Sequence, residues 1–171
     1  NLKFDFVFLG QSILKYQVPL DIFNAINQIY EQNINNLYKA NEQLVGKIEH
    51  EYSLFYGGTD QSKVKNHNLL PTNVTDYFIK IFKHYLAFNK IKDYDMRINS
   101  IWVNEMKEHE YNPAHIHRGM LFTGLSSVMI LKLPSTFGKE YSAEQTPQNG
   151  RLQILGAANG QFAKIDYQPP M

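Results

Sequence analysis

The stretch from residue 104 to 134, NEMKEHEYNPAHIHRGMLFTGLSSVMILKLP, limits most strongly what this chain can fold into. It sets a turn signal, Asn112-Pro113, before two histidines, and then runs through Gly119 into the almost wholly apolar segment 125–133. An apolar run of that length, bounded by turn signals, reads as a central strand covered on both faces. His115 and His117 stand one residue apart. If the backbone is extended there, both imidazoles leave the same face, because strand side chains alternate with period two. Two imidazoles on one face are half of a metal site. They are equally a surface pair or a structural polar cluster. Neutral imidazole suits iron, zinc, copper and nickel alike, so spacing does not name the metal.

The rest of the chain surrounds this stretch with a mixed pattern. Residues 2–9 (LKFDFVFL) and 12–18 (SILKYQV) alternate as short strands. Asp21 is a candidate N-cap for a helix with Ile22, Phe23, Ile26, Ile29 and Tyr30 on one face, fading in the Asn-rich run 32–36. Residues 38–47 are ambiguous, and Gly57-Gly58 with the polar run 59–68 marks a loop. A second helix follows, capped by Thr72 or Asn73, with Val74, Phe78, Ile81, Tyr85 and Phe88 at helical spacing. His84 reads as a surface or capping residue on it. Residues 93–107 read as one long strand with Met96, Ile98, Ser100, Trp102 and Asn104 on one face. Glu105, Glu108, Glu110 and His109 read mainly as solvated charge before the histidine pair. Residues 137–149 form a loop, and 151–156 and 162–167 a hairpin turned near Asn159-Gly160.

Composition closes several alternatives. A chain of 171 residues is long enough for a real core in one domain. Its 11 Tyr and 11 Phe favour a β-rich fold with aromatic packing. Seventeen basic against sixteen acidic residues leave +1, which gives no electrostatic case for nucleic acid or an anionic membrane. No cysteine is present, so disulfides and thiol catalysis are excluded, in keeping with an expected cytoplasmic location. No apolar run reaches the length of a membrane span.

The order WVN, YNP, HIH, RG and LSSVMILKLP resembles the central motif of a branch of the Fe(II)/2-oxoglutarate-dependent oxygenases, found in bacteria and in phages of marine bacteria. Members look like N-P-x-H-x-H-x-G followed by a Ser-rich strand ending in aliphatic-Lys-aliphatic-Pro. The likeness is specific over 102–134, weaker over 150–170 (GRLQILGAANGQFAKIDYQPP), and one of layout alone before that.

This resemblance implies an α+β, mainly β fold: a double-stranded β-helix, or jelly roll, with two amino-terminal supporting helices. It implies Fe(II) and 2-oxoglutarate as cofactors, dioxygen as cosubstrate, and hydroxylation of an unidentified substrate. His115 matches the first iron ligand. His117 occupies the place where most relatives outside the branch carry aspartate, so it ligates, yields to water, or orients a neighbour. Asn104, Leu131 and Lys132 are the candidate cofactor-binding positions, with the Lys132 ammonium suited to countering an anion or to snorkelling into solvent. The family's second ligand histidine and its carboxylate-binding arginine normally follow the segment matched by 165–170. No histidine follows His117 and the last arginine is Arg151, so the domain 1–171 is expected to be incomplete at its carboxy end.

Two other readings compete. A cupin-type metal enzyme without 2-oxoglutarate also opens its site with His-x-His, but usually continues with a glutamate a few residues on, and none occurs here before Glu140. A non-catalytic or incomplete jelly roll would leave sheet edges open to pairing with a second copy.

Overall fold

A computed structural model describes residues 2–8, 12–39, 46–57, 68–115, 124–139, 149–158 and 161–167. They form an α+β protein of short antiparallel sheets and two α-helices. The chain packs as two compact units. One joins Asn1–Lys3 to Tyr16–Pro113, and the other joins Phe4–Lys15 to Ala114–Met171.

Two strands open the chain, β1 (Phe4–Phe8) and β2 (Ser12–Tyr16), and they form a two-stranded sheet. Their alternating apolar residues are those that predict the two strands.

The first unit is built on α1 (Leu20–Asn33), β3 (Tyr38–Lys39), β4 (His50–Tyr56), α2 (Thr72–Phe88) and β5 (Ser100–Glu105). The sheet order is β3-β4-β5, antiparallel throughout. The central strand β4 buries four successive residues, Glu51, Tyr52, Ser53 and Leu54, which requires cover on both faces. Its pairing to β5 slips between Ser53 and Phe55, so Leu54 is the extra residue of a β-bulge. Leu54 and Val74 of α2 are fully buried. Ile22 and Ile26 of α1, Ile48, Leu70, and Tyr77, Phe78, Ile81 and Leu86 of α2 complete this core. The two helices pack on each other.

Local chemistry moves several boundaries from where the sequence predicts them. Pro19 and Pro71 occupy the N-cap positions, not Asp21, Thr72 or Asn73. Proline's missing N–H is no loss at a helix start, where that donor has no helical partner. Asp21 lies instead in the first turn, where a carboxylate suits the positive end of the helix dipole. On α2, Leu86 is buried and Phe88 is exposed. A 3.6-residue period leaves positions 85 and 86 on either flank of the stripe, and the wholly apolar side chain takes the buried one. The strand expected over 93–107 is confined to Ser100–Glu105, because β4 offers partners only from His50, opposite Glu105, to Tyr56, opposite Ser100.

In the second unit, β6 (Leu152–Ala158) pairs with β7 (Gln161–Tyr167) in a hairpin whose register runs from Leu152↔Tyr167 to Ala158↔Gln161. The intervening Asn159-Gly160 pair lies outside the described residues, as do His117, Gly119 and most of the 59–68 loop. Residues 125–133 carry no strand. Leu125, Val128 and Ile130 are exposed, Val128 to 64%. A strand exists only through pairing, and no described residue is hydrogen-bonded to this run as a ladder partner.

Candidate functional site

β5 leads directly toward the histidine segment. After Glu105 the chain enters a turn at Glu108 and His109, and His109 adopts the left-handed region at φ 65°. Glu110 closes the turn by donating its N–H to the Lys107 carbonyl at 3.1 Å. The next residue, Tyr111, forms an isolated antiparallel bridge with Lys47. Gly46 lies beneath this bridge. A side chain there would meet the Tyr111 carbonyl oxygen, Pro113 Cδ at 2.7 Å and Asn112 Cα at 3.0 Å. Glycine is needed for close approach here, not for its backbone freedom. Residues 112 and 113, where the sequence predicts a turn, carry none; the turn lies at Glu108 and His109, and Asn112 and Pro113 pack closely against Gly46.

His115 follows two residues later, exposed and outside any regular element. It belongs to the second unit, whereas Asn104 belongs to the first. Asn104 lies on the exposed face of β5, paired across the ladder with the buried Glu51. Leu131 is half-buried and Lys132 exposed, both in the irregular run 124–139. His117, the other candidate ligand, lies outside the described residues. Among the described residues no group of three or more His, Asp or Glu is placed to hold a metal ion.

The structure assembles a polar cluster that the sequence reading does not anticipate. Lys107 Nζ lies 3.0 Å from His50 Nε2, and His50 Nδ1 lies 2.9 Å from the Tyr52 hydroxyl. A lysine ammonium has donors only, so Nε2 accepts, and Nδ1 carries the ring hydrogen and donates to Tyr52. The His50 and Tyr52 rings stack at 6.0 Å between centroids. Tyr30 of α1 packs 5.9 Å from Tyr52 and donates its hydroxyl to Glu105 Oε2 at 3.3 Å. Burial first, then the charge and hydrogen bond of Glu105 and the presence of Tyr52, push the Tyr30 hydroxyl far above its ordinary 10.0. This phenol is a fixed donor, not a base.

Glu110 is also more than solvated charge. Its Oε2 accepts the Lys107 backbone N–H at 2.7 Å, and its Oε1 accepts the Glu49 N–H at 3.0 Å. The Lys107 amide first, then the Glu49 amide, with the Lys107 ammonium nearby, lower its carboxyl below 4.5 despite opposing desolvation. By contrast His109 projects into solvent, its side chain 83% exposed. His84 is a bonded residue: its Nδ1 lies 2.8 Å from the Tyr16 hydroxyl, which also donates to the Ile81 carbonyl at 3.2 Å.

The signal for the polar cluster was present in HEYSLFY, where Tyr52, Leu54 and Tyr56 alternate with His50 at the head. Comparison of the chain with protein-family models, curated proteins and solved structures gives no match. Among the described residues no helix is long and apolar enough to cross a membrane.

Proposed function

We propose that the chain is a non-haem Fe(II)/2-oxoglutarate-dependent oxygenase, a hydroxylase, built on a double-stranded β-helix. The observation that carries this reading is the ordered motif of Asn112, Pro113, His115, His117 and Gly119 followed by LSSVMILKLP. Imidazole is a suitable donor for Fe(II). Only the first imidazole, that of His115, lies among the described residues, so the remaining donors are assigned by resemblance. Short antiparallel sheets are the material from which a jelly roll is assembled.

In this reading His115 and His117 hold the metal. Asn104, Leu131 and Lys132 are the candidate cosubstrate positions by resemblance, and the Lys132 ammonium has the charge to counter a carboxylate of 2-oxoglutarate. Bound iron with 2-oxoglutarate and dioxygen supplies the oxidising power for inserting oxygen into a C–H bond. The chain's own task is to keep coordination positions open and to hold the target C–H nearby.

The test is anaerobic titration of the chain with Fe(II) and 2-oxoglutarate, followed through the metal-to-ligand charge-transfer band. The band is expected in the wild type and lost in His115→Ala. A band unchanged by that substitution, or none in the wild type, overturns the reading.

A second reading rests on the exposed apolar run at 125–133, where Leu125, Val128 and Ile130 face solvent. In a non-catalytic jelly roll this run would pair with a second copy. Sedimentation velocity separates the two readings: a dimer that dissociates in Val128→Lys, together with no charge-transfer band, favours self-association without chemistry.

A further inference from the structure

The turn between β5 and the histidine segment is held more firmly than a surface connection needs. Glu110 spans it with both carboxylate oxygens, one on the Lys107 N–H and one on the Glu49 N–H. The first bond closes the turn on itself. The second ties it to the residue before β4. The Glu110 N–H adds a bond to the Lys107 carbonyl, and Lys47 and Tyr111 exchange both of their backbone groups one residue later. His109 sits within this frame at φ 65°. Such a conformation costs free energy for a non-glycine residue and persists where its surroundings over-determine it, a condition that recurs at functional sites.

We propose that Glu110 is a positioning residue: its carboxylate fixes the path of residues 111–113, from which the chain runs directly into His115. The functional meaning of this role rests on the oxygenase reading. The structural requirement is specific. Two backbone donors converge on one side chain, so it must offer two acceptors. Glutamine offers one carbonyl oxygen and turns an NH2 donor toward the other N–H. Glutamate is the residue that satisfies both, and its lowered carboxyl is the consequence of accepting them.

The test uses the whole chain with Glu110→Gln, and with Glu108→Gln as a control, because Glu108 lies in the same turn with its side chain 88% exposed. Backbone amide exchange is read at Lys47 and Tyr111, and Fe(II) uptake with 2-oxoglutarate is read through the charge-transfer band. In Glu110→Gln, exchange at both amides is expected to accelerate about tenfold, as loss of a hydrogen bond to a charged group implies. Fe(II) affinity is expected to fall several-fold, with the midpoint of thermal unfolding little changed. Glu108→Gln should match the wild type in each respect. Unchanged exchange at Lys47 and Tyr111 in Glu110→Gln overturns the proposal. Faster exchange with wild-type Fe(II) affinity also overturns it, provided His115→Ala abolishes binding. If His115→Ala leaves binding intact, the oxygenase reading fails by itself, and the exchange result alone decides whether Glu110 fixes this path.

Discussion

Lys47 and Tyr111 form a closed pair: the Lys47 N–H donates to the Tyr111 carbonyl at 3.0 Å, and the Tyr111 N–H returns a bond to the Lys47 carbonyl at 3.1 Å. This is the hydrogen-bonded pair of an antiparallel ladder, one residue pair long. An isolated pair has no neighbouring rungs to support it, so its surroundings decide whether it forms. Gly46 supplies that condition, because the Tyr111 carbonyl oxygen, Pro113 Cδ and Asn112 Cα all occupy the space a Cβ would need.

Gly46→Val should therefore separate the two backbones. Two of the three obstructing atoms belong to the main chain and the third to a rigid proline ring, so none can swing aside. Forced overpacking of this kind costs about 1–3 kcal/mol. Urea unfolding should show a loss of that size, and the Lys47 and Tyr111 amides should lose exchange protection. A variant with wild-type stability and protection would show that the bridge is not set by this contact.

Tyr30 predicts the alkaline behaviour of the fold. Its hydroxyl is raised far above 10.0 in the folded protein, chiefly by burial and then by Glu105. As pH rises past 10 the unfolded chain loses this proton while the folded chain keeps it. The unfolded state then binds fewer protons, so stability falls with rising pH. Below pH 10 the contribution is fully present. Tyr30→Phe removes the hydroxyl and should flatten the alkaline slope, at a cost near neutrality of about 1 kcal/mol for the lost bond to Glu105. Tyr16 and Tyr77 are raised as well, chiefly by burial, so some slope should remain. Equal slopes in wild type and variant between pH 9 and 11, about one unit either side of an ordinary tyrosine, would refute this assignment.

Glu110 predicts the acid side. Its carboxyl lies below 4.5 because the folded state offers it two backbone donors. The bonds are fully present above that value and are lost as pH falls through the lower folded value. The Lys107 amide proton, which donates to Oε2, should report this in an NMR titration as a shift with an apparent midpoint below 4.5. Glu110→Gln should abolish the transition. A midpoint at or above 4.5 would mean that the amides do not favour the ionised form.

Sequence reading recovers elements whose pattern is local. The alternating residues of β1 and β2, the apolar faces of α1 and α2, and the β6–β7 hairpin are legible because strand and helix periods are written in short windows. It fails where the outcome depends on distant partners. Strand β4 is central and buried on both faces, yet HEYSLFY carries the polar Glu51 and Ser53 among its buried residues. Burial of Glu51 follows from the cover that both faces receive, which no local pattern contains. Residues 125–133 fail in the opposite direction, since strong apolar character predicts a strand and the described residues supply no ladder to complete it. The Glu110 clamp was equally hidden, because Glu49 lies 61 residues away in the chain. The turn expected at Asn112-Pro113 falls instead at Glu108 and His109, and the glycine against which Asn112 and Pro113 pack was not legible either.

Leu54 is the most demanding position of the first unit. It is the bulged residue of the central strand, its side chain has no solvent exposure, and its carbonyl accepts the Leu69 N–H at 3.2 Å. A bulge places this residue without a ladder partner, so packing holds it there. Leu54→Ala removes that packing and leaves a cavity whose walls relax only in part, at a cost of about 2–5 kcal/mol. The same bulge sets the offset by which Phe55 faces Ile101 while Ser53 faces Trp102. The variant should therefore lose order on both sides of the slip. Chemical denaturation should show the stability loss, and exchange at the Ile101 and Trp102 amides should accelerate with it. A loss below about 1 kcal/mol would mean that the site collapses around alanine and that the bulge is fixed by the backbone alone.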